Sequence, residues 1–175
     1  MLNRKIIHTI FLSISALLIH FSGSCQEWAT VKFDTNLTVK MPVNYEIKDT
    51  NDVKVISGSI ESCLTIISRS FVNDTSFTKN KDLVIYFYKI YERKYIKRLH
   101  GHLINSETVT INNLLWRKFS FYQKLKRGKC IHHCLVLLFN QSTYSISFVE
   151  LESNSEKVKM IREKYFSGII VSSNN

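Results

Sequence analysis

Two cysteines and two histidines crowd into five residues, Cys130-Ile131-His132-His133-Cys134. Thiolate sulfur and imidazole nitrogen are the usual zinc and copper ligands, so the cluster points first to metal or redox chemistry. Backbone geometry limits that reading. On a strand rising about 3.3 Å per residue, Cys130 and Cys134 lie roughly 13 Å apart, too far to share a metal or a bond. Cys130, His132 and Cys134 share one face of such a strand, and His133 takes the other. On a helix the cysteines would be neighbours, but the surrounding pattern is that of strands. The expectation is therefore no bound metal, with Cys130, His132 and Cys134 as the alternative ligand set.

The blander chemistry is a disulfide. Cys63 could meet Cys130 or Cys134 across a sheet if their strands are neighbours, at the cost of leaving one thiol over. Buried free thiols, packed as small apolar side chains, are the competing outcome. Nucleophilic catalysis has no anchor in the sequence: there is no Gly-x-Ser-x-Gly elbow, no phosphate-cradling glycine loop and no His-Glu-x-x-His. His100 and His102 flank Gly101 and could hold a metal, although cations are favoured at a helix C-terminus in any case. A non-enzymatic protein with no cofactor is expected.

What these side chains can mean depends on the compartment, and the first twenty-five residues address that. Arg4 and Lys5 precede an apolar run, Ile6 to Phe21, broken only by His8, Thr9, Ser13, Ser15 and His20; Ser22, Gly23 and Ser24 then lead to Cys25. A positive start, a short apolar stretch and a small-residue exit make a secretory signal peptide, and the run is short for a spanning helix. Cleavage before Cys25 would resemble the signal of a bacterial lipoprotein and makes Cys25 the lipidation candidate, although Ser22 stands where such signals carry Leu. Cleavage after Cys25 would use Gly23 and Cys25 as an ordinary small-residue site and start the mature chain at Gln26. An extracytoplasmic location, periplasmic, secreted or envelope-anchored, is expected either way.

Beyond the leader, residues 26–175 have the size of one domain, and a hydrophobic content of 45% suffices for a core. The formal charge of +10 falls to +8 once Arg4 and Lys5 leave with the leader (10 − 2), since residues 1–25 contain no acid. That balance favours an anionic surface. The densest basic stretch, Lys89 to Arg98, reads on a helix as a solvated face. Nucleic acid is a poor partner for an exported protein. An unidentified envelope protein or component, a lipid anchor or an anionic surface remain, for a chain expected to be monomeric.

The elements that must position the cluster follow from periodicity. Strands are expected at Trp28 to Phe33, Thr35 to Met41, Tyr45 to Ile47, Val53 to Ile60 and Ser62 to Phe71. A helix from about Lys81 to Leu99 follows, capped by Asn80 or Thr78, carrying Val84, Phe87, Tyr91 and Tyr95 and stopped by Gly101. Leu103 to Ile111 and Leu114 to Tyr122 pair through Asn112-Asn113, whose side chains tolerate positive φ. A basic loop, Lys124 to Gly128, leads to the most apolar strand, Lys129 to Phe139, which places the cluster centrally in a sheet. Thr143 to Glu150 returns. A last helix starts at Ser153 in a capping box with Glu156 and buries Val158, Ile161 and Tyr165, before a short Ile169 to Val171 strand.

Antiparallel strands in a meander, with a mid-chain and a C-terminal helix packed on them, make an α+β domain, an αβα sandwich. Trp28 and Phe33, Leu37-Thr38-Val39-Lys40-Met41-Pro42, the mid-chain helix, Tyr144-Ser145-Ile146-Ser147-Phe148 and Lys164-Tyr165-Phe166-Ser167-Gly168-Ile169 together resemble the PsbP-like family. That fold is shared by the PsbP subunit, the Mog proteins and many small exported bacterial proteins. The resemblance implies the fold across nearly all of residues 26–175 and carries over no site residue. The functional expectation is an exported, non-catalytic domain that binds or stabilises a partner in the cell envelope, with a small metal or redox protein as the alternative.

Overall fold

The computed structural model describes residues 27–50, 52–72, 80–126, 128–151 and 155–172. The expected leader, including Cys25, and Thr78 and Ser153 lie outside these residues. Ten strands and two helices are described: β1 Trp28–Lys32, β2 Leu37–Pro42, β3 Glu46–Asp49, β4 Val53–Ile60, β5 Cys63–Phe71, α1 Lys81–Arg98, β6 Gly101–Ile111, β7 Leu114–Leu125, β8 Gly128–Phe139, β9 Ser142–Leu151, α2 Glu156–Ser167 and β10 Ile170–Val171.

Seven strands form one antiparallel sheet in the order β3-β4-β5-β9-β8-β7-β6. Two meanders build it, β3-β4-β5 before α1 and β6-β7-β8-β9 after it, and β9 docks beside β5 to join them. Two-residue turns set the hairpins. Asn112 and Asn113 turn β6 into β7 with φ of 51° and 62°, and Asn140 and Gln141 turn β8 into β9 at 45° and 58°. The expected basic loop at Lys124 to Gly128 is instead the tip of a third tight hairpin. Leu125 pairs with Gly128, whose φ of 112° is one that only glycine takes without strain.

Each face of this sheet has its own cover. On one side α1 lies across β7, β8 and β9, burying Tyr88, Ile96 and Leu99 against Phe119, Phe121, Cys134, Val136 and Leu138. The helix buries Tyr88, Glu92 and Ile96, one position over from the expected line of Val84, Phe87, Tyr91 and Tyr95, which are half-buried flanks. Polar partners explain the rotation: Tyr88 donates to the Leu115 carbonyl at 2.6 Å and accepts from the Leu138 N–H at 3.0 Å, while Glu92 pairs with Arg117.

On the other side sit the small sheet β1-β2-β10 and α2, enclosing Phe33, Leu37, Val39, Met41, Ile56, Ile67, Ile146, Phe148 and Tyr165. α2 begins two residues later than the expected box: Ser155, not Ser153, is its cap and accepts from the Val158 N–H at 3.3 Å. The layers are thus helix, seven-stranded sheet, and a mixed layer of helix and small sheet, an α+β sandwich of the expected class. Among the described residues both outer strands of the large sheet, β3 and β6, have one unpaired edge, and β6 carries a register shift between Leu103 and Asn105.

Candidate functional site

β8 lies between β7 and β9, and its alternation divides the Cys-His cluster as strand geometry requires. Cys130, His132 and Cys134 face α1, while His133 faces α2. Cys130 Sγ stands 3.4 Å from His132 Nε2, and that nitrogen is 3.1 Å from Gln123 Oε1 on β7. The third side of the triangle, Cys130 Sγ to Gln123 Oε1, is 3.8 Å. The His132 ring stacks on Phe121, with centroids 4.4 Å apart and planes 12° from parallel. Burial first, then the neighbouring His133, pushes the His132 imidazole down to about 4, so it is neutral at neutral pH, and its Nδ1 has no hydrogen-bond partner among the described residues.

Four residues along, Cys134 leaves this triangle. Its sulfur is 3.4 Å from Ser147 Oγ, which in turn is 3.3 Å from the Tyr95 hydroxyl. Burial pushes the Cys134 thiol up to about 12 and raises that of Cys130 as well. A nucleophilic cysteine needs the reverse, a thiolate favoured by a nearby cation. The Cys130–His132 contact therefore joins a protonated thiol and a neutral imidazole.

His133 belongs to a second assembly that the sequence did not single out. Its Nδ1 is 3.0 Å from Ser120 Oγ, and its Nε2 is 3.3 Å from Glu150 Oε1 and 3.0 Å from Arg162 Nη1. Arg162, on α2, also donates to Glu150 Oε1 and Oε2 at 3.0 and 3.1 Å. Serine, histidine and glutamate in a row have the composition of a hydrolytic triad, but the arrangement is that of a clamp. The serine sits on Nδ1 and the acid on Nε2, the reverse of a serine hydrolase. Ser120 is in mid-strand, paired with Asn105 on one side and His133 on the other, so the surrounding N–H groups are spent in the ladder and offer no oxyanion hole. The signal that could have found the pair is the β7–β8 hairpin: once its tip is placed at 126–127, Ser120 and His133 fall opposite one another.

Cys63 occupies neither assembly, and of the two outcomes left open for it, a disulfide or a buried free thiol, the sheet order favours the thiol. Cys63 is opposite Glu150, and Glu150 is opposite Ile131, so β9 lies between Cys63 and β8. Two strand spacings are about 9.6 Å, beyond the roughly 7 Å limit for bridged Cα atoms. Cys63 also shares the face of Ile131, the side of the sheet opposite Cys130 and Cys134. All three are free thiols, and burial first, then Glu150, pushes Cys63 up to about 11. Of the flanking histidines, His102 stacks on Tyr122 at 4.9 Å and His100 forms the link from α1 to β6 with φ of 49°. Among the described residues no three His, Cys, Asp or Glu side chains come together as a metal site.

No protein-family model matches the chain, and no curated protein matches it. Among solved structures it is similar to the cyanobacterial PsbP, CyanoP, from Synechocystis, at 12% identity and a TM-score of 0.58, covering 88% of this chain and 99% of that one. It is also similar to a Pseudomonas aeruginosa protein of unknown function at 7% identity and a TM-score of 0.53, covering 87% of this chain and all of the other. Identity this low carries the fold alone, and the fold is PsbP-like.

Proposed function

We propose that the chain is an exported, non-catalytic domain that binds or stabilises a partner in the bacterial cell envelope. One observation carries the reading: the side chains best suited to chemistry are spent on holding layers together. Arg162, Glu150, His133 and Ser120 fasten α2 to the sheet, and Glu92 with Arg117 fastens α1. Apolar side chains are instead left outside, with Leu103, Ile104 and Ile111 exposed along the unpaired edge of β6. An apolar edge of this kind supports a binding role. The leader supports export, and no helix among the described residues is long and apolar enough to cross a membrane.

The test is to fractionate the native host and take the intact mass of the recovered protein. A mature chain starting at Cys25 with acyl mass, or at Gln26 without it, is expected in the extracytoplasmic fraction. A cytoplasmic protein with residues 1–25 still attached would overturn the reading.

A second reading has a specific observation in its favour. Tetrahedral zinc with bonds of about 2.0–2.3 Å holds its ligand atoms about 3.3–3.8 Å apart. The Cys130, His132 and Gln123 atoms are separated by 3.1–3.8 Å. A thiolate, an imidazole and an amide oxygen would cap one face of a metal, with Cys134 excluded. Metal analysis of protein purified without chelators decides: stoichiometric zinc or copper, lost on His132→Ala, would replace the first reading with this one.

A further inference from the structure

Strand registers identify one end of the sandwich by its charge. Ile60, Cys63, Glu150, Ile131, Tyr122 and His102 form a row across the large sheet, and beyond it lie the β4–β5 turn, the β7–β8 tip and the junction of α1 with β6. Exposed Lys124, Lys126 and Lys129 come from the β7–β8 hairpin, and exposed Lys97 and Arg98 from the last turn of α1. Among the described residues, none of Lys97, Arg98, Lys124 and Lys126 has a carboxylate partner. Among the described residues at this end, Glu150 is engaged with Arg162, Glu61 with Lys157 and Glu156 with Lys159, and Glu27 stands exposed where the chain enters.

The polypeptide enters the domain at the same end. β1 runs from Trp28, opposite Pro42, towards the Asp34 turn, which is fixed by Arg69 and Tyr144 at the far end of the sheet. Pro42 in turn packs beside Gly58, where a Cβ would lie 3.2 Å from the proline Cδ, two residues before the close of β4. Residue 27 therefore points towards the basic end, and Cys25, the lipidation candidate, lies two residues before it. Exposed apolar side chains complete the surface, with Val43, Leu103, Ile104 and Leu151 at this end. Cations and exposed apolar groups at one end of a domain are the pattern of an interfacial membrane contact.

We infer that this end of the sandwich is a docking face for an anionic lipid bilayer surface, and that the domain stands on the membrane with α1 and the β7–β8 hairpin pointing into the headgroups. The inference rests on the export reading and adds the orientation and the chemical class of the envelope component. Charge complementarity and the point where the chain enters the domain select a bilayer as the occupant. A bilayer attracts each nearby Lys or Arg enough to change binding roughly fivefold. Coulomb attraction at the headgroups is also screened beyond about 10 Å at 0.1 M salt.

The experiment uses protein exported with its own leader, carrying Cys25→Ser so that an acyl chain cannot supply the affinity. Cosedimentation is measured with vesicles of phosphatidylcholine alone and of phosphatidylcholine with phosphatidylglycerol at 3:1, in low and in 0.5 M salt. Binding is expected only to the anionic vesicles and only at low salt. Lys124→Gln with Lys126→Gln should weaken it about 25-fold, whereas Lys32→Gln with Lys81→Gln, the same charge change at the far end, should leave it within twofold. Equal losses from both pairs, or no anionic-vesicle binding at low salt, would overturn the inference. Binding to soluble heparin without binding to vesicles would do the same and assign the face to a polyanion. Circular dichroism confirms that each pair is folded. Because residence outside the cytoplasm is measured separately, failure here leaves the export reading standing.

Discussion

Arg117 Nε lies 2.7 Å from Glu92 Oε2, and this buried ion pair is the polar bolt between the sheet and α1. The guanidinium also donates to Thr108 Oγ1 at 3.2 Å and Ser106 Oγ at 2.8 Å on β6, so one side chain ties three elements together. Removing the acid strands a cation in a low-dielectric layer. Glu92→Ala is expected to cost about 3–5 kcal/mol in urea unfolding, and Glu92→Leu with Arg117→Leu should recover most of it. A double variant no more stable than the single one would refute this account.

Arg162 plays the matching part on the other face. Glu150 is buried and takes two hydrogen bonds from that one guanidinium, so Arg162→Ala leaves a carboxylate without its cation. A loss of about 2 kcal/mol is expected from the charge-assisted bonds alone. Amide exchange should quicken in α2 (Glu156–Ser167) and β10 while α1 stays protected. Uniform quickening over both helices would show that the clamp is not local.

His132 gives stability a defined pH dependence. Its folded imidazole titrates near 4, below the ordinary value of 6.5, so the unfolded chain takes up the proton first as pH falls. The contribution is whole above pH 6.5, declines from there to about 4 and is spent below it. The difference of about 2.5 pH units amounts to about 3 kcal/mol. Urea midpoints at pH 7.5 and 4.5 should differ less in His132→Phe, which keeps the stack on Phe121, than in the native chain. Equal differences would count against the assignment.

The three thiols of the domain predict their own silence. With Cys63 pushed up to about 11, Cys134 to about 12 and Cys130 raised, native protein carrying Cys25→Ser should resist iodoacetamide at pH 7.5. The same protein should take three labels in urea. Its intact mass should be the same with and without reductant; a 2 Da difference would restore a disulfide that the sheet order forbids.

Much of the fold was legible because its signals are local. Asn112-Asn113 announces a hairpin, Asn80 caps α1, and Leu37, Val39 and Met41 alternate with Thr38 and Lys40. The β7–β8 tip was not, since Gln123, Lys124 and Leu125 have the composition of a loop and only pairing with β8 makes them a strand. Strand order was hidden for a different reason. β9 reaches β5 after some seventy residues of intervening chain, and no local preference encodes that contact. The choice between a Cys63 disulfide and a free thiol turned on that contact. The cluster at 130–134 was visible, and its division between two faces followed from strand geometry. The Ser120–His133–Glu150–Arg162 clamp was not visible, because its members come from four elements and share no spacing.

The register shift at Ile104 has a consequence for the molecule in bulk. An eleven-residue strand with a bare edge could seed ribbons, each copy adding its own β6 to the last. The extra residue breaks the repeat of donors and acceptors after Leu103, so an incoming strand that matches one side of the break is out of step with the other. Deleting Ile104 would make the edge continuous. The penalty would be paid at high concentration, as a protein that thickens into fibres instead of staying in solution.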